Sequence, residues 1–264
     1  MSDNKTATGV LHDLRSNMPK IISRRAQLFL IWWSLGFAVI FFAAYYFLIG
    51  LLPLPPATLG ADQVAAFYVR HSVNIRLGSI ICSWCSAFMV PLATVIAVQM
   101  ARLEKGIPIW SILEFGGGLM MSLFLVLPPV FWGVAAFSPH RPAPLTLLMH
   151  ELSNLTLVTT DQYFIFQFVA IAAVSLSVPG DRLSPFPRWY GYYTIWTALM
   201  FELGAIGFLP KTGPFAWNGL FVYWIPLTIF GLWIVVTSVQ LIRAIGRQAD
   251  EALAAGRVQV VAST

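Results

Sequence analysis

The stretch QLFLIWWSLGFAVIFFAAYYFLIGLL, Gln27–Leu52, runs for 26 residues without a charge. A helix needs about 20 residues to cross the hydrocarbon core of a bilayer, so this run is long enough to span. It is too long for the ~7–15-residue apolar region of a secretory signal, and no Ala-x-Ala cleavage site follows it. The preceding Ser23-Arg24-Arg25 is therefore not read as a twin-arginine export signal. Lipid offers the backbone no hydrogen-bond partners, which leaves only helices and closed barrels as spanning structures. Barrel strands alternate polar and apolar residues over ~10 positions. This stretch does not alternate, so it reads as a helix. Pro53, Pro55 and Pro56 end it, because proline cannot donate to the helical ladder.

The rest of the 264-residue chain repeats the pattern. Hydrophobic residues make up 58% and charged ones only 10%, against about 25% charged in soluble domains. After a polar loop through Asp62, Arg70 and His71, a second helix is expected over Ile75–Met100, with a kink at Pro91. A third is expected over Pro108–Ala135, its last part bent or broken by Pro128 and Pro129. Ser138–Pro144 is a proline-rich loop. Leu145–Val178 would measure about 51 Å as one helix, which is too long for one crossing. Its polar half, Met149–Thr160, is expected either to lie partly outside the hydrocarbon or to form an interfacial helix, and the fourth span to cover about Gln162–Val178 or to start earlier. The fifth and sixth spans are expected over Trp189–Leu209 and Leu220–Ile242, followed by a helical extension from Arg243 to about Ala255. The fold class is thus all-α, a polytopic membrane helix bundle with six transmembrane helices. It divides into an amino-terminal tail at 1–26, the bundle at 27–242 and a carboxy-terminal extension at 243–264.

Lys and Arg set the orientation of such a bundle. With the amino terminus in the cytoplasm, Lys5, Arg15, Lys20, Arg24, Arg25, Arg102, Lys105, Arg182, Arg188, Arg243, Arg247 and Arg257 fall inside. Arg70, Arg76, Arg141 and Lys211 fall outside, so 12 plus 4 account for all 16. Both termini are placed in the cytoplasm, as a multi-pass protein of the inner or plasma membrane. The same bias explains the net charge of +5 without nucleic-acid binding. Aromatic residues also fall near the expected interfaces: Trp32, Trp33, Trp110, Trp189, Tyr190 and Tyr192 inside, and Tyr45, Tyr46, Trp132, Trp217, Tyr223 and Trp224 outside.

Polar groups within spans are the functional candidates. Glu202 lies near the middle of the fifth span and is the first choice for contacting a ligand or carrying a proton. Asp161 stands at the outer end of the fourth, and Glu114 lies close to the inner end of the third, where it is expected to be solvated. His71, His140, His150 and Glu151 share the outer side and are of the types that bind first-row metals, although no two of the histidines have helical spacing. Cys82-x-x-Cys85 lies inside a span, and Gly78, Cys82 and Ser86 recur every four residues, which marks close helix packing rather than a redox site. Gly116-Gly117-Gly118 reads as close packing or a soft hinge. Arg76 is expected to snorkel or to pair with Glu151 or Asp161.

Three functions fit this reading. The first is binding or passage of a small lipophilic molecule within the bundle, with Glu202 and Asp161 as polar handles. The second is a membrane-enzyme or oxidase subunit with an outer-face metal, and the third is a structural or assembly subunit packed against other membrane subunits. The bilayer is the one partner all three share, and no cofactor is identified.

Overall fold

The computed structural model describes residues 23–177 and 185–262, with the side chains of 161–162 and 249–262 outside that set. Most of the expected amino-terminal tail and the loop carrying Asp181 and Arg182 therefore lie outside the described residues. The first helix, α1, spans Arg24–Ala44, capped by Ser23, whose hydroxyl accepts from the Ala26 amide at 3.3 Å. It widens into a π-helical turn, Tyr45–Ile49, and stops at Gly50. There the left-handed backbone (φ 69°) favours glycine, and the Gly50 N–H closes onto the Tyr45 carbonyl.

Helix α2, Ala61–Cys85, starts well before the expected Ile75. It runs through a 3-10 turn, Ser86–Phe88, into α3, Met89–Ala101. The loop assigned to Asp62, Arg70 and His71 is thus corrected to helix. Polar content hid it, but Asp62 suits the positive end of a first turn, and the Gln63 side chain accepts from the Gly60 amide at 3.1 Å. The irregularity expected at Pro91 appears as the 3-10 turn, which contains Ala87, four residues before the missing N–H.

Helix α4, Ile109–Phe137, remains continuous through Pro128 and Pro129, so these prolines do not break it. Both are buried, and packed neighbours in a bundle can compensate for carbonyls that proline leaves without donors. Glu104 caps its start, accepting from the amides of Trp110 and Ser111 at 2.9 Å each. Next come α5, Ala143–Thr159, a 3-10 turn Asp161–Phe164, and α6, Ile165–Ser177. Helix α7, Arg188–Phe201, tightens into a 3-10 turn over Glu202–Phe208. A second π-helical turn, Leu220–Trp224, opens α8, Ile225–Ala262, which runs beyond the expected stop near Gly256.

Helix α4 is the hub, packed against α2, α3, α5 and α6, while α8 leans on α1, α3 and α7. The small-residue stripe makes the α1–α2 contact. A Cβ on Gly78 would sit 2.7 Å from Ile49, and the Cys82 thiol donates to the Phe41 carbonyl at 3.5 Å. At one end of the bundle Gln99 joins Gln27 of α1 (2.6 Å) and Gln248 of α8 (3.1 Å), and Arg102 donates to Gln99 at 2.9 Å.

Among the described residues there is no strand. Four helical stretches are long and apolar enough to cross a membrane: Arg24–Ile49, Ala61–Ala101, Ile109–Phe137 and Leu220–Gln248. Their surfaces carry large apolar side chains outward, such as Phe29, Phe47, Trp84 and Phe137. This points to an integral membrane protein.

Candidate functional site

The two π-helical turns meet. An extra residue in a helical turn re-aims its side chains, and such turns recur at functional sites. Here the first turn carries Tyr45 and the second Tyr223, and their hydroxyls lie 3.3 Å apart in the bundle interior. The Tyr45 hydroxyl also donates to the Leu51 carbonyl at 3.1 Å, and its ring stacks on Trp132 of α4 with centroids 5.3 Å apart. Below this group lies a partly open cavity of about 80 Å³. Its walls come from α1, α4, α5, α7 and α8, with Phe164, Phe201 and Phe230 packed mutually on one side. Apart from Tyr45, Tyr223 and Trp132, the lining side chains are hydrocarbon.

A chain of polar side chains backs this wall. Trp132 Nε1 donates to Asn154 Oδ1 at 3.1 Å, Asn154 Nδ2 lies 2.9 Å from His150 Nε2, and His150 Nδ1 lies 3.1 Å from the Tyr68 hydroxyl. Indole is only a donor, which fixes the roles along the chain. Asn154 accepts from Trp132 and donates to an unprotonated Nε2, so His150 carries its proton on Nδ1 and gives it to Tyr68. The links tie α4, α5 and α2 together. His150 also forms a wall of a second pocket, about 110 Å³, beneath the loop of Gly50, Leu51, Pro53 and Pro55.

Glu114 and Glu202 reverse the order of burial expected of them. Glu114 is not solvated: it is 0% exposed, between α4 and α6, and its Oε1 accepts from Gln167 Nε2 at 2.7 Å. Glu202 is only half-buried, at the end of α7, beside an open depression with Tyr163, Ile165 and Phe166. It does not line the central cavity. Asp161 opens the 3-10 turn before α6, and its side chain lies outside the described residues.

The expected metal set is not assembled. Among the described residues no three His, Cys, Asp or Glu side chains form a group that could hold a metal ion, so His71, His140, His150 and Glu151 do not converge. Both nitrogens of His150 are engaged, and Glu151 pairs with Lys211 at 3.7 Å rather than with Arg76. Cys82 and Cys85 are free, buried thiols.

Sequence reasoning placed Tyr45, Trp132, Trp217 and Tyr223 in an interfacial belt. All four face the bundle interior and are buried, while Tyr46 and Trp224 are exposed. The hydrophobic pattern positions a residue along a span but not around it. A signal was present for Glu114: Gly117 and Gly118 stand three and four residues on, the same helical face. Small residues there mark a close helix approach. A Cβ at Gly117 would fall 2.7 Å from the Gln167 amide nitrogen.

Comparison with protein-family models, with curated proteins and with solved structures found no match, so function must be argued from this geometry.

Proposed function

We propose that the chain is a multi-pass protein of the inner or plasma membrane that binds or passes a small lipophilic molecule through the cavity beneath Tyr45, Trp132 and Tyr223. The single observation carrying this reading is an apolar cavity inside the bundle, walled by five helices and placed where both π-helical turns meet. At about 80 Å³ it has roughly half the ~150 Å³ that admits benzene in an engineered core. About three or four carbons of a ligand then fit without repacking, and a longer tail leaves through the open side.

The reading includes six crossings. To the four long apolar stretches it adds α6 with its preceding 3-10 turn, about 28 Å in length, and α7 with its following one, about 35 Å. Both match a hydrocarbon core of ~30 Å. The His150 end faces outward and the Gln99 end inward, as the Lys and Arg bias requires. Segments 1–26 and 243–264 are then cytoplasmic. Glu114 is retained as the buried acid of the bundle and Glu202 as a polar position away from the cavity, and Asp161, which opens the turn before α6, is retained as a candidate polar contact.

The test is saturable binding of a short-chain ligand to purified protein in nanodiscs, set against Leu157→Trp, which fills the cavity. Binding to the wild type and none to the filled variant is expected. No saturable binding to the wild type, or equal binding to both, contradicts the reading.

A further inference from the structure

We infer that the central cavity is an acceptor-only site, suited to a lipophilic alcohol or phenol whose hydroxyl donates into it. This rests on the ligand-binding reading above and names the chemical class.

The inference follows from where each proton on the wall goes. A carbonyl cannot donate, so the contact between the Tyr45 hydroxyl and the Leu51 carbonyl requires the Tyr45 proton. With that proton committed, the 3.3 Å contact between the two phenols requires the proton of Tyr223. Tyr45 therefore donates to Leu51 and Tyr223 donates to Tyr45. The third polar side chain on the wall, Trp132, has one N–H, and Asn154 takes it. No lining side chain has a donor left.

Acceptors remain. The Tyr223 oxygen keeps its lone pairs. Leu125 lines the same cavity, and its carbonyl lacks the usual helical donor because the residue four positions on is Pro129, which has no N–H. A ligand hydroxyl entering here finds an oxygen ready to accept. A ketone or ether finds none to donate unless Tyr223 turns its proton away from Tyr45, which breaks an existing bond.

The pair 2-hexanol and 2-hexanone shares one skeleton and differs in whether the oxygen carries a proton. Binding of each is read from the shift in thermal unfolding midpoint of the full chain in nanodiscs, at matched concentrations in the membrane phase. The alcohol should bind about five- to tenfold tighter, the worth of one hydrogen bond. Tyr223→Phe keeps the ring and removes one of the two accepting oxygens, and should reduce the preference, with the Leu125 carbonyl left as acceptor. Equal binding of the two probes, tighter binding of the ketone, or an undiminished preference in Tyr223→Phe overturns this inference and leaves the cavity reading standing. Failure of both probes to bind the wild type overturns both. If the variant does not fold, the wild-type comparison decides alone.

Discussion

Replacing Gly118 with alanine would place a methyl group 2.4 Å from Cβ of Ala93 and 3.2 Å from Nε2 of Gln167. Ordinary contact begins at 3.4 Å, so α4 must retreat by about 1 Å at that level, a distance core packing does not absorb freely. The Ala93 methyl sits directly on the backbone and has no rotamer to escape into. Gly117→Ala meets the Gln167 backbone nitrogen at 2.7 Å, with the same consequence for α6. Overpacking of this kind costs about 1–3 kcal/mol. Gly116, one position earlier, has nothing within 4 Å of its would-be Cβ. Gly116→Ala should therefore stabilise, by about 0.5–1 kcal/mol from helix propensity alone. One substitution made at three consecutive positions is thus expected to give one gain and two losses, separated by roughly 1.5–4 kcal/mol. Reversible unfolding by SDS titration in mixed micelles, followed by circular dichroism, reads that difference. If Gly117→Ala and Gly118→Ala are as stable as Gly116→Ala, α4 does not approach α3 and α6 this closely, and Glu114 is not buried between α4 and α6.

The polar links inside the bundle make two further expectations. His150→Leu strands the Asn154 amide and the Tyr68 hydroxyl in a buried setting, a loss of about 1–3 kcal/mol for each group left unpaired. A thermal unfolding midpoint equal to wild type would show that these links do not hold α5 to α2 and α4. Glu114→Leu leaves the Gln167 amide without its acceptor and should lower stability by about 1–3 kcal/mol. Glu114→Gln keeps an acceptor oxygen and should lose less, and the opposite order of the two variants in the same unfolding assay would remove the pairing.

The apolar runs were legible because a bilayer imposes a length, and Gln27–Leu52 and the run before Gly106 meet it without ambiguity. The first half of α2 was not legible. Asp62, Arg70, His71 and Asn74 resemble loop composition, and the tertiary contacts that help keep the backbone helical, such as Tyr68 on His150 of α5, are not visible in the sequence. Pro128 and Pro129 misled for the same reason, since their cost depends on neighbours the sequence does not name. The candidate site was the least legible part. Tyr45 and Tyr223 are 178 residues apart in the chain, and both owe their direction to π-helical turns that no residue pattern signals. Glu114 and Glu202 were ranked by depth along a span, whereas burial is decided by the angle around the helix axis.

The most direct measurement is the sidedness of α4, the hub of the bundle. Ser138→Cys and Lys105→Cys place a thiol on exposed positions just beyond its two ends, while Cys82 and Cys85 stay buried. With a membrane-impermeant maleimide, Ser138→Cys should label on intact cells and Lys105→Cys only after the membrane is opened. Labelling of both positions from the same side would mean that α4 does not cross, and the reverse order would mean that the bundle is inverted.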